Sequence, residues 1–163
     1  MPFAGLVAAG RPASTREWLA AGLAGALGAA LLLAPERGLL EGVMRAWIVL
    51  VTAAFVMGAR LRAAGFWRLA ARACLYAAAG LAILAPAAAG PTVWRQIQWE
   101  ATRDASRSMR LAVEVAPGLY PAFEPVVRLV ADGWPVWLVL VTLAGLALAW
   151  RGREAVHGVV VNR

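Results

Sequence analysis

PTVWRQIQWEATRDASRSMRLAVEVAPGLYPAFEPVVRLVADG, residues 91–133, is the only long region of the chain that carries charges of both signs. It separates three apolar runs from a fourth. From Thr92 to Ala116, small or apolar residues recur every three or four positions, which is the spacing of one face of an α-helix. The same stretch contains four Arg, two Glu and one Asp, too many charges for a helix that crosses a bilayer. It predicts an amphipathic helix outside the membrane core.

The apolar face of this helix is narrow and rich in alanine. Small side chains suit the close approach of another helix, whereas burial among acyl chains is more favourable for large ones. We therefore expect this face to bind a second membrane protein through Trp94, Ile97, Ala101, Ala105, Met109, Ala112 and Val113. A helix that floats in the lipid interface is the alternative.

The acidic residues of the same helix are accompanied by arginines. Glu100 and Asp104 are four residues apart, and Arg103 and Arg107 flank them. An exposed network of ion pairs explains these four residues more simply than a pair of catalytic carboxylates does.

Four apolar runs lie on the two sides of this segment, at about residues 17–34, 39–59, 69–89 and 134–150. Each is long enough for a transmembrane helix, which needs about 17–25 residues. The chain is 62% hydrophobic with a mean hydropathy of +0.69, well above the roughly 45–50% of a soluble domain. The sequence predicts an all-α integral membrane protein, with four transmembrane helices and one long extramembrane amphipathic helix in a single domain, residues 1–163.

The first span has a clear beginning and an unusual composition. Ser14 and Glu17 have the spacing of a capping box, so the helix is expected to begin near Thr15. The turn at residues 35–38 is short enough to place the second span antiparallel against the first as a helical hairpin. This span is rich in small residues, namely Ala21, Gly22, Gly25, Gly28 and Ala29. They would let another helix backbone approach the span closely. The alternative is that they occur by chance in a chain with a high Ala and Gly content.

Prolines divide the region that follows the amphipathic helix. Pro117 and Gly118 end that helix. Pro121 and Pro125 are expected to prevent a continuous helix through Phe123, because proline removes a backbone donor and clashes with the preceding turn. They leave a short amphipathic piece at about residues 125–131. The last span then begins near residue 134, with a proline in its first turn.

Glu41 and Arg45 are four residues apart near the beginning of the second span, a spacing at which an acid and a base pair on one helix face. An ion pair at the membrane interface is the simpler interpretation. The alternative is a functional polar site within the bilayer, where charges are rare and mark function. The two residues would then line a wet path with Thr52.

The basic residues predict the orientation of the chain. All 16 are arginines, and the net charge is +7. They cluster in short segments beside the apolar runs, which favours anionic headgroups over nucleic acid as the partner. The segment at residues 60–72 combines Arg with Phe and Trp, but it is too short for a nucleic-acid-binding domain. We expect a multi-pass protein of the bacterial inner membrane with both termini in the cytoplasm, according to the positive-inside rule.

The sequence lacks the residues that common catalytic sites require. It has one histidine, His157, and one cysteine, Cys74. One chain therefore offers no bis-histidine haem site, no Cys/His zinc cluster and no internal disulfide. Without lysine, a phosphate loop of the usual form is also impossible. We expect a protein that is not an enzyme, with no cofactor, no metal and no small-molecule substrate.

Two functions remain for a chain with contact surfaces but no chemistry of its own. The leading hypothesis is a non-catalytic structural or assembly subunit of a larger membrane complex, an accessory subunit whose partners are the lipid bilayer and other membrane proteins. The alternative is the membrane component of a transport system or a homo-oligomeric pore, including a lysis-type pore. The number and identity of copurifying chains distinguish the two.

Overall fold

The structure, a computed structural model, describes residues 1–10, 14–35, 38–61, 65–115, 118 and 120–161. These residues form seven helices: α1 (Pro2–Ala9), α2 (Thr15–Leu33), α3 (Leu39–Arg60), α4 (Phe66–Ala89), α5 (Val93–Val115), α6 (Tyr120–Asp132) and α7 (Trp134–Val161). Four of the seven are long and apolar enough to cross a membrane, namely α2, α3, α4 and α7. The all-helical architecture and the four apolar helices confirm the sequence prediction at this level.

The centre of the molecule is the antiparallel pair of α3 and α4. Its buried side chains are large on α3 and mainly alanines on α4, and small side chains let helices approach closely. They recur every three or four residues along both helices, as expected for a packed face. The set comprises Leu40, Val43, Trp47, Val51 and Phe55 on α3, and Leu69, Ala70, Ala73, Ala77, Leu81 and Ala85 on α4.

Helix α1 is a short helix that the sequence did not reveal. Leu6 and Val7 are completely buried, and α1 packs against α2, α3 and α7. It uses the small residues of α2, because a Cβ added to Gly28 would lie 2.7 Å from the Cγ of Met1. Part of the small-residue stripe on α2 therefore serves close packing within the chain. The residues of α1 are almost all apolar, so they contain no helical period that could be recognised.

The helical hairpin predicted for the first two spans takes a different form. α2 packs mainly on α1 and lies apart from α3 along most of its length. Its beginning is as predicted, since the backbone N–H of Glu17 donates to the Ser14 hydroxyl at 3.3 Å. Most of its large side chains are exposed on the outside of the bundle: Trp18, Leu19, Leu23, Leu27, Leu31 and Leu33.

The prediction that Pro121 and Pro125 prevent a continuous helix is wrong. Helix α6 runs from Tyr120 to Asp132 and contains both prolines. Pro121 lies in the first turn, where a missing N–H has no intrahelical acceptor to lose. Pro125 removes one backbone hydrogen bond from a helix that packs along α5. Contact between the two helices compensates for that loss.

The ends of α5 agree with the sequence prediction, whereas α4 begins earlier and α7 ends later than predicted. α5 matches the predicted range 92–116 to within one residue at each end. α4 begins at Phe66, three residues before the predicted span. α7 continues past Arg151 to Val161, because arginine ends an apolar span but is itself a good helix former.

Candidate functional site

Helix α5 crosses one end of the bundle, where α3 begins and α4 ends. Its residues Val93 and Ile97 are almost completely buried in the main apolar cluster. Trp94 stacks on Trp134 at the beginning of α7, with ring centroids 6.5 Å apart and planes inclined by 22°. The amphipathic helix is therefore fixed to the ends of three apolar helices.

The polar centre of this junction is the carboxylate of Glu100. Its side chain is only 5% exposed. It accepts hydrogen bonds from the backbone N–H of Leu40 at 2.7 Å and from the Gln96 side-chain amide at 3.1 Å, and a further one from the N–H of Leu39. Backbone N–H groups in the first turn of a helix have no acceptor within the helix. Glu100 therefore caps α3 from another helix, a role that a neighbouring side chain usually has.

A glycine makes room for this cap. Gly38 is the N-cap residue of α3 and offers no side chain of its own. A Cβ at this position would lie 2.6 Å from the Oε2 atom of Glu100. Any larger residue would therefore require the carboxylate to shift from its present position at the helix terminus.

The pKa of Glu100 is lowered from its ordinary value. Burial alone would raise it, but the hydrogen bonds from Leu40, Gln96 and Leu39 and the nearby charge of Arg103 outweigh the burial. The carboxylate is thus held in its ionised form at the positive end of the α3 dipole.

The prediction of an exposed ion-pair network is therefore wrong for Glu100 and right for Asp104. Asp104 lies at the surface and pairs with Arg103 at 3.1 Å. The burial of this acid was not recognisable from the sequence, because the backbone N–H groups of Leu39 and Leu40 that it accepts from lie in another helix.

The seven residues predicted to bind a partner fall into four groups. Ile97, Ala101 and Met109 are buried against the chain itself, and Ala105 is half-buried. Trp94 is 48% exposed. The side chains of the remaining two lie outside the described part of the structure: Ala112 and Val113.

The small-residue stripe of α5 therefore packs at least partly within the molecule. Contact between α5 and a second protein stays a prediction. In this conformation such a partner would reach the exposed side of the helix, where the guanidinium of Arg103 lies 5.0 Å from the ring centroid of Trp99.

Glu41 and Arg45 form the predicted ion pair, with 2.6 Å between the charged atoms. Arg45 has a second role, because it donates to the backbone carbonyls of Leu32, at 2.9 Å, and of Ala34. These carbonyls belong to the C-terminal end of α2, where the helix has no internal donors for them. Arg45 therefore joins the end of α2 to the beginning of α3.

Helices α5 and α6 enclose a small groove on the outer side of the junction. The Gln98 side-chain amide donates to Asp132 at 2.9 Å and to the carbonyl of Ala131 at 3.3 Å, and Arg128 pairs with Glu124 at 2.7 Å. The groove has a volume of about 380 Å³. Its walls combine Arg and acidic side chains with apolar ones: Thr102, Ser106, Met109, Arg110, Glu124, Val127, Arg128, Ala131 and Asp132.

Within the apolar helices, one polar contact joins α3 to α7. The indole N–H of Trp47 donates to the Thr142 hydroxyl at 2.9 Å, and that hydroxyl donates to the carbonyl of Leu138 at 2.7 Å. Both side chains thus use their donors inside the protein. Thr52, which was predicted to share a wet path with Glu41 and Arg45, is half-buried.

The opposite end of the bundle is aromatic and basic. The rings of Phe55, Phe66 and Trp150 form a cluster with centroid separations of 5.9 to 6.1 Å. The guanidinium of Arg153 lies 5.6 Å from the ring centroid of Trp150.

Cys74 is half-buried and packs against the main apolar cluster, as a small apolar residue would.

These arrangements are contacts that hold helices together. Among the described residues, no group of three or more His, Cys, Asp or Glu side chains is placed to hold a metal ion. No protein-family model, curated protein or solved structure matches the chain.

Proposed function

We propose that the chain is a multi-pass membrane protein and a non-catalytic structural or assembly subunit of a larger membrane complex. Four helices have the length and composition of membrane spans. Tryptophans lie near both ends of these helices, as in the aromatic belts of membrane proteins. One group contains Trp94, Trp99, Trp134 and Trp137, and the other contains Trp18, Trp67 and Trp150.

The proposed subunit role rests on polar side chains that form their hydrogen bonds within the protein itself. Glu100 caps α3, Arg45 caps α2, and Thr142 binds Trp47. They are among the polar groups at the span ends and within the spans from which a transport path or a reaction centre would be built. Their hydrogen bonds support a role in assembly.

The charge distribution supports an orientation with both termini in the cytoplasm. Arg16, Arg60, Arg68, Arg72 and Arg151 lie at the bundle end opposite α5, and all five are exposed. Arginines on the side of α5 are accompanied by acids, as in the pairs of Arg103 with Asp104 and Arg128 with Glu124. The excess of positive charge opposite α5 favours that end as the cytoplasmic one, in an inner membrane.

The proposal is tested by purifying the tagged chain at its natural expression level in a mild detergent. Different membrane proteins that copurify in a fixed stoichiometry and withstand high salt would support a subunit role. A ring of identical chains would instead support the transport or pore alternative and overturn the proposal. A monomer as the sole species across several detergents would overturn both.

A further inference from the structure

The outer face of α4 carries a continuous exposed stripe with a basic end and an apolar remainder. Arg68, Arg72, Leu75, Ala79 and Ile83 are all exposed. Their spacings of three and four residues place them along one side of the helix. The opposite side of α4 packs on α3, so the stripe faces away from the bundle.

The two arginines at the basic end have no acid near them in the sequence. Not one Asp or Glu occurs between Glu41 and Glu100. Within the described residues, the ion pairs join other arginines, and neither Arg68 nor Arg72 takes part in one. Like charges four residues apart on a helix repel each other. An anion between the two guanidinium groups would remove that repulsion.

The apolar part of the stripe has the length of one membrane leaflet. From Arg72 to Ile83 the helix rises by roughly 16 Å at about 1.5 Å per residue. Half of a bilayer's hydrocarbon core measures about 15 Å. A molecule with an anionic head at the arginines and a chain along Leu75 and Ile83 therefore fits the stripe from end to end.

We propose that this face of α4 binds an anionic phospholipid, with the phosphate held by Arg68 and Arg72 and an acyl chain along the apolar residues. Guanidinium groups bind phosphate oxygens in a bidentate manner, which a zwitterionic headgroup weakens by its own positive charge. The exposed side chain of Trp67 precedes Arg68 in the first turn of α4, at the level along the helix where indoles meet headgroups. The inference rests on the membrane insertion proposed above.

The test uses the full-length chain in a nonionic detergent and native mass spectrometry. Phosphatidylglycerol and phosphatidylcholine with identical acyl chains are the two probes. We expect wild-type protein to retain phosphatidylglycerol preferentially. Replacing both arginines, Arg68→Gln with Arg72→Gln, is expected to lower that affinity roughly thirtyfold, because each basic residue near an anionic surface contributes about 1 kcal/mol.

A matched control removes the same charge from the same end of the bundle. The control replaces two arginines outside the stripe, Arg60→Gln on α3 with Arg151→Gln on α7. Its affinity is expected to stay within about threefold of wild type, because neither arginine makes the proposed charge-assisted hydrogen bonds to the phosphate. Equal losses in the two double variants would mean general electrostatic attraction and would overturn the site. Water-soluble glycerophosphoglycerol should fail to displace the lipid, and displacement at equal concentration would overturn the role of the acyl chain.

Two further measurements, the wild-type lipid titration and carbonate extraction, distinguish failure of the lipid site from failure of the proposed membrane function. If the double variant fails to fold, the wild-type titration decides alone, since equal affinity for the two lipids overturns the site. Carbonate extraction of membranes reports insertion independently. Extraction of the chain into the soluble fraction would overturn the proposed membrane function itself, whereas an inserted chain without lipid preference overturns this inference only.

Discussion

The carboxylate of Glu100 accepts a hydrogen bond of 2.7 Å from the backbone N–H of Leu40, a residue 60 positions earlier in the chain. This bond joins the amphipathic helix α5 to the first turn of a candidate membrane span. It combines an ionised acceptor with the positive end of a helix, and the site is nearly closed to water. The Glu100 carboxylate therefore adds a polar link to the apolar contacts that position α5 on the bundle.

Replacing this side chain should loosen α5. Glu100→Ala leaves the N–H groups of Leu39 and Leu40 without their acceptor, and an unsatisfied buried donor costs about 1–3 kcal/mol. We expect a lower melting temperature in detergent and a larger distance between spin labels on α5 and α3. The matched control is Asp104→Ala, which removes an exposed acid from the same helix and should change neither value. Equal effects of the two variants would contradict the capping role.

The same carboxylate should make stability depend on acid pH. The folded-state pKa of Glu100 lies below its ordinary value, so its contribution is complete above the unfolded pKa of about 4.3. That contribution is lost as the pH falls from there through the folded pKa. Melting temperatures between pH 7 and pH 3 should fall more steeply for wild type than for Glu100→Gln. Parallel curves would show that another group governs the acid transition.

Two N-cap glycines offer a direct test of the space beside Glu100. Gly38→Ala places a Cβ 2.6 Å from the carboxylate oxygen, whereas a Cβ on Gly65, the N-cap of α4, meets nothing within 4 Å. We expect Gly38→Ala to destabilise the protein by about 1–3 kcal/mol through loss of the cap. Gly65→Ala should change stability by about 1 kcal/mol or less. Thermal unfolding of both variants in one detergent measures the difference, and similar values would contradict the close approach.

The sequence predicts what a regular pattern in one segment can encode. The spacing of Ile97, Ala101 and Met109 predicts both the range of α5 and its packed face, and Ser14 with Glu17 predicts the beginning of α2. The small residues of this face predict contact with a second protein, whereas the chain itself covers these three residues of α5. A pattern of small residues states that a helix is approached closely, but it contains no information about which helix approaches.

The contacts that escaped prediction join residues far apart in the chain. Glu100 binds a backbone N–H, and Arg45 binds backbone carbonyls. Every residue has a backbone carbonyl and every residue except proline has a backbone N–H, so no residue type marks the partner in the sequence. α6 escaped for a different reason, since contact with α5 outweighs the local cost of Pro125.

The proposed orientation predicts which sites can be labelled from outside intact cells. Ser108 is exposed on α5, at the end of the bundle opposite the excess of arginines. The variant Ser108→Cys should therefore react with a membrane-impermeant thiol reagent. Ala155 is exposed on the C-terminal part of α7. The variant Ala155→Cys should react only after the membrane is permeabilised. Both are made in a Cys74→Ala background, which removes the natural thiol. The reverse pattern of labelling would contradict cytoplasmic termini.

Arg45 and Glu41 should differ in their effects on stability although they form one ion pair. Arg45 is 13% exposed and donates to carbonyls at the end of α2, whereas Glu41 is 38% exposed. Arg45→Met removes the donors from these carbonyls, for which we expect a loss of about 1–3 kcal/mol. Glu41→Gln should cost at most about 1 kcal/mol, as for other exposed ion pairs.

Arg45→Lys separates the contribution of the positive charge from that of the hydrogen bonds to the α2 carbonyls. Lysine keeps the charge, but it lacks the planar guanidinium that donates to several acceptors at once. Its stability should fall between those of wild type and Arg45→Met, as measured by thermal unfolding in detergent. If lysine restored full stability, the charge would matter and the cap would not. If Arg45→Met and Glu41→Gln had equal, mild effects, the link between α2 and α3 would be an ordinary surface ion pair.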